Sequence, residues 1–265
     1  MTADEAQLRH HVPQALAKRL KAIRLGSRDW HIWHQAGVLL SELAESARRI
    51  SYRGSGRDVD SLITAAMSFM ARAHMLLGDN DVVNVCAISC DEGLALARMM
   101  TSTYTDNESP RATLQSIISV LEQEVQTPAV QHQLAIAHGF LARTHWIAWH
   151  VTGTGGHIDG AWTHEKAATD LFNGLDDESP DTQRAFASHM IAMALMHSAY
   201  GARLTQWQRC WRAFWLAGAS RDRKQQLRAV VVGLLGNTGE RWLRRRRDSP
   251  KTIRAALYDA QTAQL

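Results

Sequence analysis

The sequence predicts an all-α protein built from antiparallel helical hairpins, packed as a solenoid of repeats or as an irregular helical bundle. Four of the five prolines follow Ser or Thr, as at Thr127-Pro128 and Ser179-Pro180, and this pair is typical of a helix start. Apolar residues then recur at intervals of three and four, as in Leu114, Ile117, Ile118 and Leu121. The alternation of β-branched residues that marks strands is scarce.

These signals divide the chain into twelve predicted helices. They lie near residues 4–25, 29–50, 58–78, 81–102, 109–125, 128–152, 159–175, 180–203, 205–218, 221–235, 238–247 and 250–262. Glycine-rich connectors at 53–57 and 152–156 are predicted to be mobile joints. The second connector lacks the lysine and hydroxyl of a phosphate-binding loop and follows a helix rather than a strand, which argues against phosphate binding there.

Charge is distributed unevenly along the chain. Residues 1–57 carry a net charge of +5, residues 58–200 carry −11 and residues 201–265 carry +10. We therefore predict basic N-terminal helices at 1–57, an acidic helical-repeat core at 58–218 and basic C-terminal helices at 219–265, packed as one continuous structure. Charge separation of this kind governs partner choice and association rate rather than fold.

The segment Ala66–Met100 carries the clearest motif. Ala66 and Ala73 are seven residues apart, so they share a helix face that lets a neighbouring helix approach closely. The turn from Gly78 to Asp81 then supplies a helix stop and an acidic cap for the next helix. The next helix continues with the series Ala87, Gly93, Leu94, Ala95 and Ala97. With this series, the segment resembles a tetratricopeptide-type (TPR-like) repeat, as in the sensor domains of bacterial helix-turn-helix regulators. An ordinary helical bundle is the alternative.

The resemblance implies a concave surface that binds a protein or peptide, and the acidic middle favours a basic partner. We predict that aromatic, histidine and methionine side chains line this groove. The predicted groove residues are Trp33, Met70, His74, His138, His145 and Trp149. The leading functional hypothesis is thus a regulatory or adaptor protein that binds other proteins.

The arginine run near the C-terminus supports a second hypothesis, binding of DNA or RNA. Its predicted nucleic-acid-binding residues are Arg241, Trp242, Arg244, Arg245, Arg246 and Arg247. The density of the arginines favours contacts with phosphates, and the indole of Trp242 favours stacking on a base. No helix-turn-helix, zinc-finger or RNA-recognition signature accompanies them. The alternative is that the basic end docks against the acidic middle of another copy, which would produce a homo-oligomer.

Trp207, Trp211 and Trp215 lie four residues apart and form an apolar stripe, which we expect to be buried against a partner helix.

A metal-dependent enzyme is a third hypothesis, because His31 and His34 have helical ligand spacing, but no carboxylate completes a metal motif. We assign no catalytic residue, metal or cofactor. The chain shows neither a signal peptide nor an apolar run of the ~20 residues that a membrane span needs, so we expect a cytoplasmic protein without a membrane partner.

Overall fold

The computed structural model describes residues 12–52, 54–78, 81–103, 106–175 and 179–263. Within them the chain forms α-helices and no strands, which confirms the all-α prediction. The eleven described helices are α1 (Val12–Arg24), α2 (Trp30–Ile50), α3 (Ser55–Leu77), α4 (Val82–Thr103), α5 (Ser109–Gln123), α6 (Pro128–Thr152), α7 (Gly155–Gly174), α8 (Pro180–Tyr200), α9 (Arg203–Ala219), α10 (Arg223–Arg247) and α11 (Pro250–Ala263). The predicted start of the first helix at residue 4 lies outside the described residues.

The Ser/Thr-Pro pairs begin helices for the reason predicted. Thr127 Oγ1 accepts a hydrogen bond from the Val130 amide at 3.3 Å, and Ser179 Oγ accepts one from the Thr182 amide at 3.2 Å. Ser249 Oγ accepts one from Thr252 in the same way. Ser109 differs, because it is itself the first residue of α5. Three of the four pairs are therefore side-chain N-caps.

The helices group into two compact units. The central unit comprises residues 114–243, and the terminal unit comprises residues 3–113 with 244–265. These boundaries differ from the three charge blocks, and the domain division predicted from charge stays a prediction.

In the terminal unit, consecutive helices from α1 to α4 pack against one another, and α11 packs on α1, α2 and α3. The small-residue face of α3 lies inward, since Ala66 and Ala73 are fully buried. Gly37 of α2 fits against it so closely that a Cβ there would lie 2.7 Å from Met70 Cγ. Asp81 caps α4 by accepting a hydrogen bond from the Asn84 amide at 3.2 Å. The small-residue face thus permits the close approach that the sequence predicts, but the helix that approaches it most closely is α2, whereas the predicted partner was α4.

In the central unit, α6 pairs with α7 and α8 pairs with α9, while α8 also contacts α6 and α7. The core lies among these helices and includes Phe172, Phe186 and Met190. None of the eleven described helices has the length and apolar character that crossing a bilayer requires.

A sharp bend divides α10. Gly236 has φ 56° and ψ −136°, outside the helical region, and a Cβ at this position would overlap the Ser198 hydroxyl. The predicted break between helices at 221–235 and 238–247 is therefore confirmed, and glycine is required at the bend because L side chains rarely adopt this φ.

Candidate functional site

The predicted groove residues of the terminal unit serve packing. Met70 is fully buried, so it lines no exposed surface and its assignment to a groove is wrong. Trp33 is half-buried, its ring centroid lies 5.5 Å from that of Phe69, and its Nε1 donates to the Ser27 carbonyl at 2.9 Å. His74 Nε2 lies 3.5 Å from a carboxylate oxygen of Glu92. These contacts connect neighbouring helices of the unit.

The other three predicted groove residues lie on α6 in the central unit. His138 Nδ1 lies 3.0 Å from His164 Nδ1 of α7, and the His145 ring stacks on His164 with centroids 5.7 Å apart. The His157 ring centroid lies 5.8 Å from that of His145 with the planes tilted by 48°, so four histidines form a cluster here. Trp149 stands apart from it, with its centroid 4.6 Å from Trp146.

Burial favours the neutral form of two of these histidines, His138 and His164. Burial, followed by the nearby charge of His164, lowers the pKa of His138 to about 4, and burial also lowers the pKa of His164. Within the part of the chain that the structure describes, no group of three or more His, Cys, Asp or Glu is arranged to hold a metal ion. His138 and His145 of α6 contact His164 of α7, so the cluster forms part of the α6–α7 contact.

A buried carboxylate that the sequence analysis missed lies close by. Glu165 of α7 is 3% exposed, its Oε2 lies 3.1 Å from His197 Nε2, and its Oε1 lies 2.9 Å from a guanidinium nitrogen of Arg209. Burial raises the pKa of Glu165, but the hydrogen bond and charge of His197 and the charge of Arg209 outweigh it and hold the pKa below its usual value. Glu165 is consequently ionised at neutral pH.

The three residues of the Glu165 network line an open cavity of about 550 Å³. The indole of Trp162 forms part of the wall and stacks on His197, with centroids 4.6 Å apart and planes 5° apart. The remaining lining residues are Lys166, Thr169, Asp170 and Arg209. No sequence motif marks this site because its residues come from three helices.

The C-terminal arginine cluster is split between structural and exposed positions. Arg244 is 6% exposed, and its guanidinium donates to Ser46 Oγ at 2.8 Å. Arg247 donates to Asp248 Oδ2 at 2.9 Å and to Ser46 Oγ at 3.0 Å. Arg244 is thus unsuited to contact nucleic acid, which corrects its assignment. Both arginines fasten the end of α10 to α2 within the terminal unit.

The other members of the cluster have exposed side chains. Arg241, Arg245 and Arg246 are exposed, and Trp242 is 45% exposed. Arg241 and Trp242 belong to the central unit, whereas Arg245 and Arg246 belong to the terminal unit.

The tryptophan stripe of α9 points to solvent, contrary to the predicted burial. Trp207, Trp211 and Trp215 are 48%, 50% and 60% exposed. The inward face of α9 is instead formed by smaller residues that join the core. They are Gln206, Cys210, Ala213 and Ala217.

The first part of α10 packs antiparallel to α9 and extends this surface. Gln206 Nε2 donates to the Val232 carbonyl at 2.7 Å, and Gln226 Nε2 donates to the Phe214 carbonyl at 3.4 Å. This register places three exposed α10 residues level with the three tryptophans, Leu234 with Trp207, Val230 with Trp211 and Leu227 with Trp215. The surface formed by these six residues is called the tryptophan face below.

The exposed charges that lie near the tryptophan face along the chain are basic. In the described segment from residue 199 to residue 243, every exposed charged side chain is positive. These side chains are Arg203, Arg221, Arg223, Lys224 and Arg241. The face therefore combines apolar area with a positive rim.

In comparisons with known proteins, no family model, no curated protein and no solved structure matches this chain.

Proposed function

We propose that this chain is a helical interaction protein that binds a segment of another protein on the tryptophan face. The observation that carries this proposal is the outward position of Trp207, Trp211 and Trp215, each about half exposed. Monomeric proteins rarely expose a contiguous apolar patch of this kind unless it is an interaction site. Trp and Arg are also the residues that most often dominate the binding energy of protein interfaces.

The helical hairpins suit the same role. A repeat of TPR-like type, which we propose as the finer classification, buries the apolar face of each hairpin against the next hairpin. The α9–α10 hairpin has its inward face on α8 and leaves its outward face apolar. An occupant on that face would complete the series of packed hairpins.

The proposal is tested by selecting binders from a displayed library of random peptides. We expect peptides whose binding falls by roughly thirtyfold in the Trp211→Ala variant, because truncating a central interface tryptophan has an effect of this size. Tyr258→Ala is the matched control, since Tyr258 is an exposed aromatic residue of the terminal unit, 68% exposed. Failure to select any peptide that depends on Trp211 would refute the proposal.

Nucleic-acid binding is a second candidate function, and the exposure of Arg241, Arg245, Arg246 and Trp242 favours it. Binding of a duplex and of a single strand would be measured across a salt series. A triple variant with glutamine at the three arginines should reduce both the affinity and its salt dependence, by about one counterion per lost phosphate contact. This candidate function would be eliminated if the substitutions left binding unchanged, or if no binding occurred at low salt.

A further inference from the structure

The shape of the tryptophan face fits an α-helix. Its three apolar levels repeat every four residues along α9, and Trp207 and Trp215 are about 12 Å apart along the helix axis at 1.5 Å per residue. The face lies on two antiparallel helices, so a groove runs between their outward ridges. A third helix packs into such a groove through its own residues three and four apart.

The charges lie at the two ends of this groove. Arg221, Arg223 and Lys224 lie at the turn between α9 and α10, beyond Trp215 and Leu227. Arg203 lies at the opposite end, at the first residue of α9. An occupant that carries acidic residues near both ends complements this arrangement.

We infer that the occupant of the tryptophan face is an acidic amphipathic α-helix of a partner protein, with leucine-like residues on one side and carboxylates near both ends. This inference rests on the proposed function and specifies its partner. Four of the five exposed cations are arginine, and protein interfaces favour arginine and disfavour lysine.

The distribution of charge disfavours nucleic acid on this face. The exposed residues from Leu204 to Trp215 and from Leu227 to Leu235 include no charged side chain. The arginines within this stretch, Arg209, Arg212 and Arg228, are half-buried and already bonded to Glu165, Asn173 and Glu240 respectively. A nucleic-acid strand carries about one phosphate per 3.4 Å, so about three phosphates would lie over this stretch without an exposed cation. The apolar side of an α-helix carries no charge, so it can lie on this stretch without leaving a charge unpaired.

The inference is tested with a labelled 18-residue peptide that has leucine at helical spacing and glutamate near both ends. Its twin carries lysine in place of glutamate, and fluorescence anisotropy measures binding of each to the full chain. We expect the acidic peptide to bind at least about tenfold more tightly than the basic twin. Its binding should weaken severalfold in the double variant Arg223→Glu, Lys224→Glu, and also in Trp211→Ala.

Two controls separate this result from general charge effects. Lys251→Glu changes an exposed lysine of the terminal unit and should leave peptide binding unchanged. Vesicles of neutral lipid with and without phosphatidylserine, and a 20-nucleotide single strand, are tested on the same variants. Equal binding of the two peptides would overturn the inference, as would vesicle or strand binding that needs Trp211 while the acidic peptide does not bind.

The inference and the proposed function fail in different ways. If selected peptides of another composition bind in a Trp211-dependent manner and the acidic helix does not, only the acidic helix is refuted. If no peptide of any composition depends on Trp211, both proposals are refuted.

Discussion

Arg228 and Glu240 form a two-pronged ion pair across the bend in α10, with Nε–Oε2 at 2.9 Å and a terminal guanidinium nitrogen–Oε1 at 2.8 Å. In an unbroken helix these residues would be separated by about 18 Å along the axis. The pair therefore depends on the turn at Gly236. Glu240 is only 2% exposed, so this pair places a compensating positive charge beside a buried carboxylate.

We expect Glu240→Gln to lower the free energy of unfolding by about 2 kcal/mol, since a buried, two-pronged charged contact is lost. Chemical denaturation followed by circular dichroism measures the change. The more exposed pair of Asp181 and Arg184 is the control, and Asp181→Asn should cost at most about 1 kcal/mol. If the two substitutions lowered the free energy of unfolding equally, the ion pair across the bend would contribute no more to stability than an exposed pair.

Gly236→Ala should destabilise the chain by about 2 kcal/mol or more, because it combines a positive φ with steric overlap at Ser198. Gly56→Ala is the matched control. Gly56 lies in the first turn of α3, where an added Cβ meets nothing within 4 Å, so its replacement should be neutral or slightly stabilising. Thermal unfolding of both variants measures this difference, and a neutral Gly236→Ala would show that the bend tolerates a side chain.

The buried histidines predict loss of stability in mild acid. Burial, as the largest cause, lowers the pKa of His189 to about 4, below the 6.5 of an unperturbed histidine. The unfolded chain then binds more protons than the folded chain between those values. The contribution of His189 is therefore fully present above about pH 6.5 and is lost as the pH falls towards 4.

We expect His189→Gln to reduce the slope of unfolding free energy against pH between 7 and 5, because one titrating group is removed. Denaturant titrations at several pH values measure that slope, which is independent of any uniform change in stability. His157→Gln is a control because it replaces a less buried histidine of the central unit. An unchanged slope in His189→Gln would show that His189 does not contribute to acid sensitivity.

Arg244 and Arg241 should respond differently to the same substitution. Arg244→Gln removes the hydrogen bond to Ser46 from a buried site and should cost about 1–3 kcal/mol. Arg241→Gln changes an exposed side chain and should remain within about 0.5 kcal/mol. Urea unfolding of the two variants measures the difference. Similar losses of unfolding free energy would contradict the conclusion that Arg244 is structural whereas Arg241 is not.

The helical fold was predictable because its signals are local. A hydroxyl residue before proline, a three-and-four apolar spacing and the glycine at the α10 bend all act within a few residues. The inward face of α3 was predictable for the same reason, since Ala66 and Ala73 share one side of one helix.

The candidate surface was harder to predict because it depends on which of two faces turns inward. The spacing of Trp207, Trp211 and Trp215 predicts an apolar stripe, but α9 also carries the smaller series that includes Cys210, Ala213 and Ala217. The small residues permit the closer approach to the core and occupy the inward side. Periodicity alone does not decide between two such faces.

The positions of Arg244 and Glu165 depend on partners distant in sequence. Arg244 is buried because Ser46 accepts its hydrogen bond from a separation of 198 residues. Glu165 is ionised in the interior because His197 and Arg209 reach it from two other helices. A run of arginines or an isolated glutamate carries no local sign of such contacts.

The outward tryptophans also give the chain an optical property. An indole in water emits at longer wavelength than one in an apolar environment. The indoles of Trp207, Trp211 and Trp215 are in contact with water when nothing covers them. Any molecule that covers them will shift part of the intrinsic fluorescence to shorter wavelength. The chain thereby reports occupation of this surface without an added dye.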